Sequence, residues 1–130
     1  MDQGGTQEDN IIYRDLSYKI VGILFDVFNT LGYGYQEKYY QKAIAEGLRT
    51  LNINFQEQLS FKLTYNDKII GRYYLDFLVD DKIILEIKKG NYFSKSNIEQ
   101  IKGYLKTSNL KLGILANFTS TGIKYKRILN

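Results

Sequence analysis

Apolar residues recur at helical spacing in two segments near the start of the chain. Between residues 11 and 31 they lie three or four positions apart, which predicts an amphipathic helix that ends at Gly32. A second helix is predicted from Gln36 to Leu51. Its apolar face would be formed by Tyr40, Ile44, Leu48 and Leu51. Glu37 falls one turn before this face, so its carboxylate is expected on the buried side of the helix.

The next part of the chain alternates apolar and polar residues, which is typical of strands with one solvated face. Leu59 to Tyr65 predicts a first strand, Ile69 to Val79 a second and Lys82 to Lys88 a third. Asn66-Asp67 and Asp80-Asp81 lie between them and have the composition of tight turns. The three strands are therefore expected to form a meander.

A third helix and two more strands are predicted in the remainder. Ser96 and Glu99 have the spacing of a capping box, which would open a helix running to about Thr107 with Ile98, Ile101 and Leu105 as its apolar stripe. The apolar run 110–117 predicts a strand inside a sheet, and residues 123–129 predict a last, more exposed strand. The element order is then α-α-β-β-β-α-β-β.

The composition bounds the chain to one folded domain. Its 130 residues suffice for a single core, assigned here to residues 11–130, after a polar and acidic segment, residues 1–10, interpreted as a flexible tail. No apolar run approaches the length of a membrane span, and no signal peptide is evident, so a cytoplasmic location is expected.

The chain has no cysteine and no histidine. Disulfides, thiolate or histidine metal sites and histidine-based catalytic triads are therefore excluded. Any bound metal must be held by oxygen atoms, which favours magnesium, manganese or calcium.

Positive charge is concentrated in the second half of the chain. Residues 82–127 contain ten Lys or Arg and two acids, whereas the whole chain has a net charge of +4. Such a distribution is expected of a protein that binds a polyanion, and it also fits ordinary solubilising lysines. Lys89 and Lys102 are candidates for lining a phosphate path, against the alternative of a solvated surface.

The candidate chemistry lies on the second and third strands. If the hairpin closes through its Asp-Asp turn, Asp76 lies about opposite residue 85 or 86. Two neighbouring carboxylates repel each other unless a cation lies between them. We therefore expect Asp76, Glu86 and the Ile87 carbonyl to hold Mg²⁺ or Mn²⁺, which would polarise a scissile phosphate and acidify a water molecule. Lys88 would stabilise the reacting negative charge, and Glu37 would support the metal through water or act as a base.

Strand alternation places Arg72, Tyr74, Asp76 and Leu78 on one face of the second strand, and Ile84, Glu86 and Lys88 on one face of the third. Structural alternatives to the metal site are ion pairs, namely Asp76 with Arg72, Glu86 with Lys88, or Glu37 with Lys88.

These residues resemble the motif of the PD-(D/E)XK nuclease-like superfamily, in which an acid is followed at a distance by acid-x-lysine. Here the motif is formed by Asp76 and Glu86-Ile87-Lys88, although Leu75 stands where the family name has proline. Gly34, Glu37 and Tyr40 match the signature of the GxxExxY family, a small branch of this superfamily. Gln100 and Tyr104 are similar to the Q-x-x-x-Y motif of RecB-like and Cas4-like nucleases, where both residues help to position substrate.

The resemblance implies an α/β domain with a mixed sheet flanked by helices, and magnesium-dependent hydrolysis of phosphodiester bonds in DNA. Two other functions stay open: a nucleic-acid-binding module without turnover, and a protein-interaction domain. The sequence also leaves open a homodimer or a subunit of a larger complex.

Overall fold

The computed structural model describes residues 11–130, so the tail predicted at residues 1–10 lies outside the described residues. Three helices and five strands follow one another in the predicted order. The helices are α1 (Arg14–Leu31), α2 (Glu37–Thr50) and α3 (Lys95–Ser108). The strands are β1 (Phe55–Tyr65), β2 (Lys68–Val79), β3 (Ile83–Lys89), β4 (Leu112–Thr119) and β5 (Gly122–Leu129).

The five strands form one mixed sheet in the spatial order β1-β2-β3-β4-β5. Neighbouring strands are antiparallel except β3 and β4, which are parallel and are connected through α3. The predicted meander of β1, β2 and β3 is confirmed, and its turns use left-handed backbone conformations at Asn66-Asp67 and Asp80-Asp81. Asn and Asp tolerate this conformation better than most residues.

Apolar side chains cover both faces of the sheet. One buried cluster joins α1 and α2 to the sheet through residues such as Leu24, Ile44 and Phe77. A smaller cluster joins α3 to the opposite face through residues such as Ile101 and Leu115. All eight residues of β4 are buried, which fits the strand inside the sheet predicted from the apolar run. No helix in residues 11–130 is long and apolar enough to cross a membrane.

Two predictions at helix ends are wrong. Leu51 was predicted on the buried face of α2, but the helix ends one residue earlier and Leu51 is 49% exposed. Ser96 was predicted to cap α3, but Ser94 occupies the N-cap, where its hydroxyl accepts a hydrogen bond from the Asn97 backbone at 3.4 Å. Both serines precede the apolar stripe, and the spacing alone favoured the wrong one.

The simple alternation predicted for β2 is also wrong. Leu75 and Leu78 pack into the same cluster on the α3 side, although three residues apart they should face opposite sides. The partner position on β1 explains this difference, because Gln58 has a left-handed φ of 52° between the pairs Glu57–Phe77 and Leu59–Leu75. Both strands change faces there, beside Asp76: Phe55 and Phe77 belong to the cluster under α1 and α2, whereas Leu59 and Leu75 belong to the cluster under α3.

A candidate metal centre where two strands diverge

The β2–β3 ladder stops next to the two acids of the motif. Its pairs run from Val79–Ile83 to Phe77–Leu85, which places Asp76 across from Glu86, one of the two positions predicted. Beyond the last pair, side-chain carboxylates accept the hydrogen bonds of the backbone N–H groups. The Asp76 backbone N–H donates to Glu86 Oε1 at 2.7 Å, and the Ile87 N–H donates to Asp76 Oδ2 at 2.8 Å. Each carboxylate thus satisfies a backbone donor of the opposite strand, which fixes both acids in place.

Both carboxylates are buried without a cationic partner. Asp76 is 9% exposed and Glu86 is 7% exposed, and neither lies within 4.0 Å of a Lys or Arg nitrogen of residues 11–130. Burial raises the pKa of Asp76 above its ordinary value. Burial, followed by the neighbouring Asp76 charge, raises the pKa of Glu86 to about 7. The site therefore favours any added positive charge.

Lys88 and Glu37 lie within electrostatic range of this pair. After burial, the Lys88 charge lowers and the Glu37 charge raises the pKa of both buried acids. Glu37 begins α2, and its Oε2 accepts a hydrogen bond from the Lys89 backbone at 3.1 Å. This contact holds the start of α2 against the end of β3, which brings all four predicted catalytic residues to one place.

None of the alternative ion pairs forms among residues 11–130. Asp76 does not pair with Arg72, and Lys88 pairs with neither Glu86 nor Glu37. The Lys88 ammonium also makes no hydrogen bond within the described chain. A half-buried cation without a partner beside two buried acids fits a role toward an anionic ligand.

Gln41 is a site residue that the sequence analysis missed. It lies one turn after Glu37 on α2, and its Nε2 donates to Asp76 Oδ1 at 3.0 Å. Residues four apart share a helix face, so the spacing from Glu37 was the signal that could have found it. The amide fixes the second oxygen of Asp76. Glu86 Oε2 has no hydrogen-bond partner of its own in the described chain.

Asn117 was missed as well. It is the register partner of Lys88 in the β3–β4 pair and is buried. Its Nδ2 donates to the Tyr92 carbonyl at 2.8 Å, which holds the loop after β3, whereas its buried Oδ1 has no partner in the described chain. Unpaired buried acceptors are costly, and this oxygen is an unsatisfied hydrogen-bond acceptor beside Lys88.

Gln100 and Tyr104 line a groove of about 550 Å³ between α3 and the β1–β2 hairpin. The Tyr104 ring lies 4.9 Å from the Phe61 ring and 5.7 Å from the Tyr73 ring, centroid to centroid. Burial, followed by the Glu86 charge, raises the pKa of Tyr104, so this side chain lies within electrostatic range of the acid pair.

The two lysines predicted to contact phosphate lie in different surroundings. The Lys89 ammonium lies 5.3 Å from the centre of the Tyr33 ring, close to the Glu37 contact. Lys102 pairs with Glu99 at 3.7 Å on the exposed surface of α3 and does not line the groove.

The donor set fits a small divalent ion. Mg²⁺ is usually held in proteins by one or two carboxylates, and its remaining positions are taken by water and substrate phosphate. In residues 11–130, no group of three or more acidic side chains is arranged to hold a metal. The two carboxylates Asp76 and Glu86 are therefore the candidate ligands, and Glu37 does not join them directly.

An α/β domain with paired acids and a lysine at diverging strands is the arrangement expected of a metal-dependent nuclease. The family model described as PD-(D/E)XK nuclease superfamily matches residues 14–128, and this chain belongs to that superfamily. The superfamily is named for nucleases.

A solved structure shares the fold. The crystal structure of SSO0001 superposes with a TM-score of 0.53 at 18% sequence identity, over 72% of this chain and 49% of that one. This chain thus spans about half the length of that protein. No curated protein matches the sequence.

Proposed function

We propose that this protein is a nuclease that hydrolyses phosphodiester bonds in DNA with the help of Mg²⁺ or Mn²⁺. One observation carries the proposal: Asp76 and Glu86 are buried, adjacent and unpaired with any cation of residues 11–130. Burying two carboxylates side by side is costly, and a bound divalent ion offsets that cost. When bound, the ion polarises the phosphate and makes water more acidic.

The residues of the chain then have separate roles. Asp76 and Glu86 would hold the ion, together with the Ile87 carbonyl, and Glu37 would support it through water. The Lys88 ammonium, which has no partner in the described chain, stabilises the negative charge that develops on the phosphate. The Gln41 amide positions Asp76. Gln100, Tyr104, Lys89 and Lys102 are proposed substrate contacts, and Lys102 requires release from Glu99 for this role.

We also propose that the chain belongs to the GxxExxY branch, and the geometry of that segment supports this proposal. Gly34 has a φ of +117°, a conformation that favours glycine, just before α2. Tyr40 is fully buried, stacks on Phe118 at 3.9 Å between ring centroids, and donates its hydroxyl to the Gly32 carbonyl at 2.6 Å. Both residues fix the start of α2, where Glu37 faces the acid pair.

Titration calorimetry with Mg²⁺ and Mn²⁺ tests the metal site. The intact protein is expected to bind, and the Asp76→Ala, Glu86→Ala double variant is expected not to bind. A control with Asp26→Ala and Glu46→Ala removes the same charges from exposed positions on α1 and α2 and should bind normally. Absence of binding by the intact protein, with and without DNA, would refute the metal site and leave a binding or interaction module.

Cleavage assays test the catalytic role separately. Lys88→Ala should retain metal binding and lose about 100-fold or more of its cleavage rate, in line with the loss of a charge-stabilising donor. Cleavage by Lys88→Ala at the rate of the intact protein would refute the role of this lysine.

A further inference from the structure

The β1–β2 hairpin extends beyond the sheet as a two-stranded ribbon. β2 pairs with β3 only from Phe77 to Val79, so residues 68–75 pair with β1 alone. At about 3.3 Å per residue the ribbon reaches about 26 Å from Asp76 to its turn. Its inner face packs on α3 through Phe61 and Tyr73. The ribbon therefore starts at the acid pair and projects away from it.

The outer face of the ribbon carries two cations directly opposite each other. Lys62 and Arg72 are register partners, and Tyr74 follows, 59% exposed, across from Ser60. Like charges in direct cross-strand register repel each other and weaken a strand pair. Neither cation forms an ion pair with any residue in 11–130. The repulsion between the two cations lowers stability, and no ion pair within residues 11–130 offsets it.

The charge of the ribbon is complementary to a polyanion. Residues 60–75 contain Lys62, Lys68 and Arg72 and a single acid, Asp67, which lies in the turn. A two-stranded ribbon has the width that fits the major groove of B-DNA, about 12 Å. Arg72 lies four residues before Asp76, about 13 Å along the strand, which corresponds to about four base-pair steps.

We propose that this ribbon arm, residues 60–75, binds duplex DNA beside the acid pair, with Lys62 and Arg72 on its phosphates. The inference rests on the proposed function in one respect, since it names the form of nucleic acid that the site would receive. The two proposals involve different residues, because residues 60–75 include none of the candidate metal ligands.

Fluorescence anisotropy with a labelled 30-base-pair DNA duplex, across a range of salt concentrations, tests the arm. The Lys62→Ala, Arg72→Ala variant should lose about two phosphate contacts, which lowers the salt slope by about 2 and weakens binding by about 60-fold at 0.1 M salt. A control with Lys111→Ala and Lys126→Ala also removes two positive charges. Lys111 lies just before β4 and Lys126 lies on β5, the edge strand opposite β1, so this control should bind DNA as the intact protein does.

Two measurements separate binding from folding. Thermal melting of Lys62→Ala, Arg72→Ala should be unchanged or slightly higher, because two repelling charges are removed. The exchanged variant Lys62→Arg, Arg72→Lys keeps both cations and should restore most of the affinity.

Other outcomes would overturn the proposal. Unchanged affinity and salt slope in the alanine variant would do so, as would tighter, arm-independent binding of a single strand. Conversion of a dimer to a monomer by the alanine variant would assign the arm to a second copy of the chain. Failure of the nuclease proposal looks different, because metal binding or cleavage would be absent while the arm variants still changed duplex affinity.

Discussion

The burial of Glu86 should make the metal-free protein less stable as the pH rises. Its pKa is about 7 in the folded protein against an ordinary 4.5, so the folded state binds this proton more tightly than the unfolded state does. The stability linked to Glu86 is therefore fully present below about pH 4.5 and is lost as the pH rises through 7. Glu86→Gln removes the charge and keeps an oxygen that can accept the Asp76 N–H.

The size of the effect follows from the two pKa values. A rise from 4.5 to about 7 corresponds to about 3 kcal/mol of unfolding free energy. Glu86→Gln and the intact protein should have similar stability at pH 4.5, and the variant should be more stable by about 3 kcal/mol at pH 8. Mg²⁺ at 100 times its dissociation constant should return about 2.7 kcal/mol to the intact protein at pH 8 and less to the variant.

Urea unfolding in a chelator between pH 4.5 and 8, followed by tyrosine fluorescence, measures this difference. The chain has twelve tyrosines and no tryptophan, so the signal comes from tyrosine alone. Glu99→Gln is the control, because this acid is exposed on α3 and its removal should leave the pH dependence unchanged. A Glu86→Gln variant whose stability runs parallel to that of the intact protein at every pH would refute the reasoning.

Two further substitutions test the supporting structure. Gln41→Ala removes the amide that donates to Asp76 and should weaken Mg²⁺ binding about 10-fold in calorimetry, as loss of an outer contact to a ligand does; unchanged affinity would contradict the positioning role. Gly47→Ala places a Cβ 2.7 Å from an Ile23 methyl and should destabilise the fold by about 1–2 kcal/mol in urea unfolding. Gly103→Ala meets no atom within 4 Å and should instead stabilise its helix by about 0.5–1 kcal/mol; equal effects of the two alanines would contradict the packing argument.

Many features of the fold could be predicted from local sequence patterns. The helical spacing before Gly32, the Asx turns and the apolar run of β4 each determine a local structure with little help from neighbours. These signals gave the correct element order and the meander. Errors arose where two local choices were nearly equal, as with Ser94 and Ser96 before α3. The N-cap is the serine with the extended, non-helical backbone, and the tertiary structure decides which serine that is.

The acid pair shows how far a sequence pattern can go toward a site. The turn at Asp80-Asp81 limits the register of β2 and β3, so chain positions placed Asp76 opposite residue 85 or 86, and the structure selects Glu86. The exchange of side-chain hydrogen bonds between the two strands could not be predicted, because it depends on the ladder stopping at Phe77. The contact from Gln41 depends on how α2 packs, which no local pattern specifies.

The sequence by itself determined the residue types, the order of the elements and the oxygen-only chemistry, since a chain without cysteine or histidine has few other ligands. Only the tertiary structure decided which of these residues meet. Both strands change faces at the left-handed Gln58, beside Asp76, so Phe61 and Tyr73 lie toward α3 and Lys62 and Arg72 lie on the other face of the ribbon. Such long-range geometry arises from packing between distant segments, and strand alternation, which is a local rule, does not contain it.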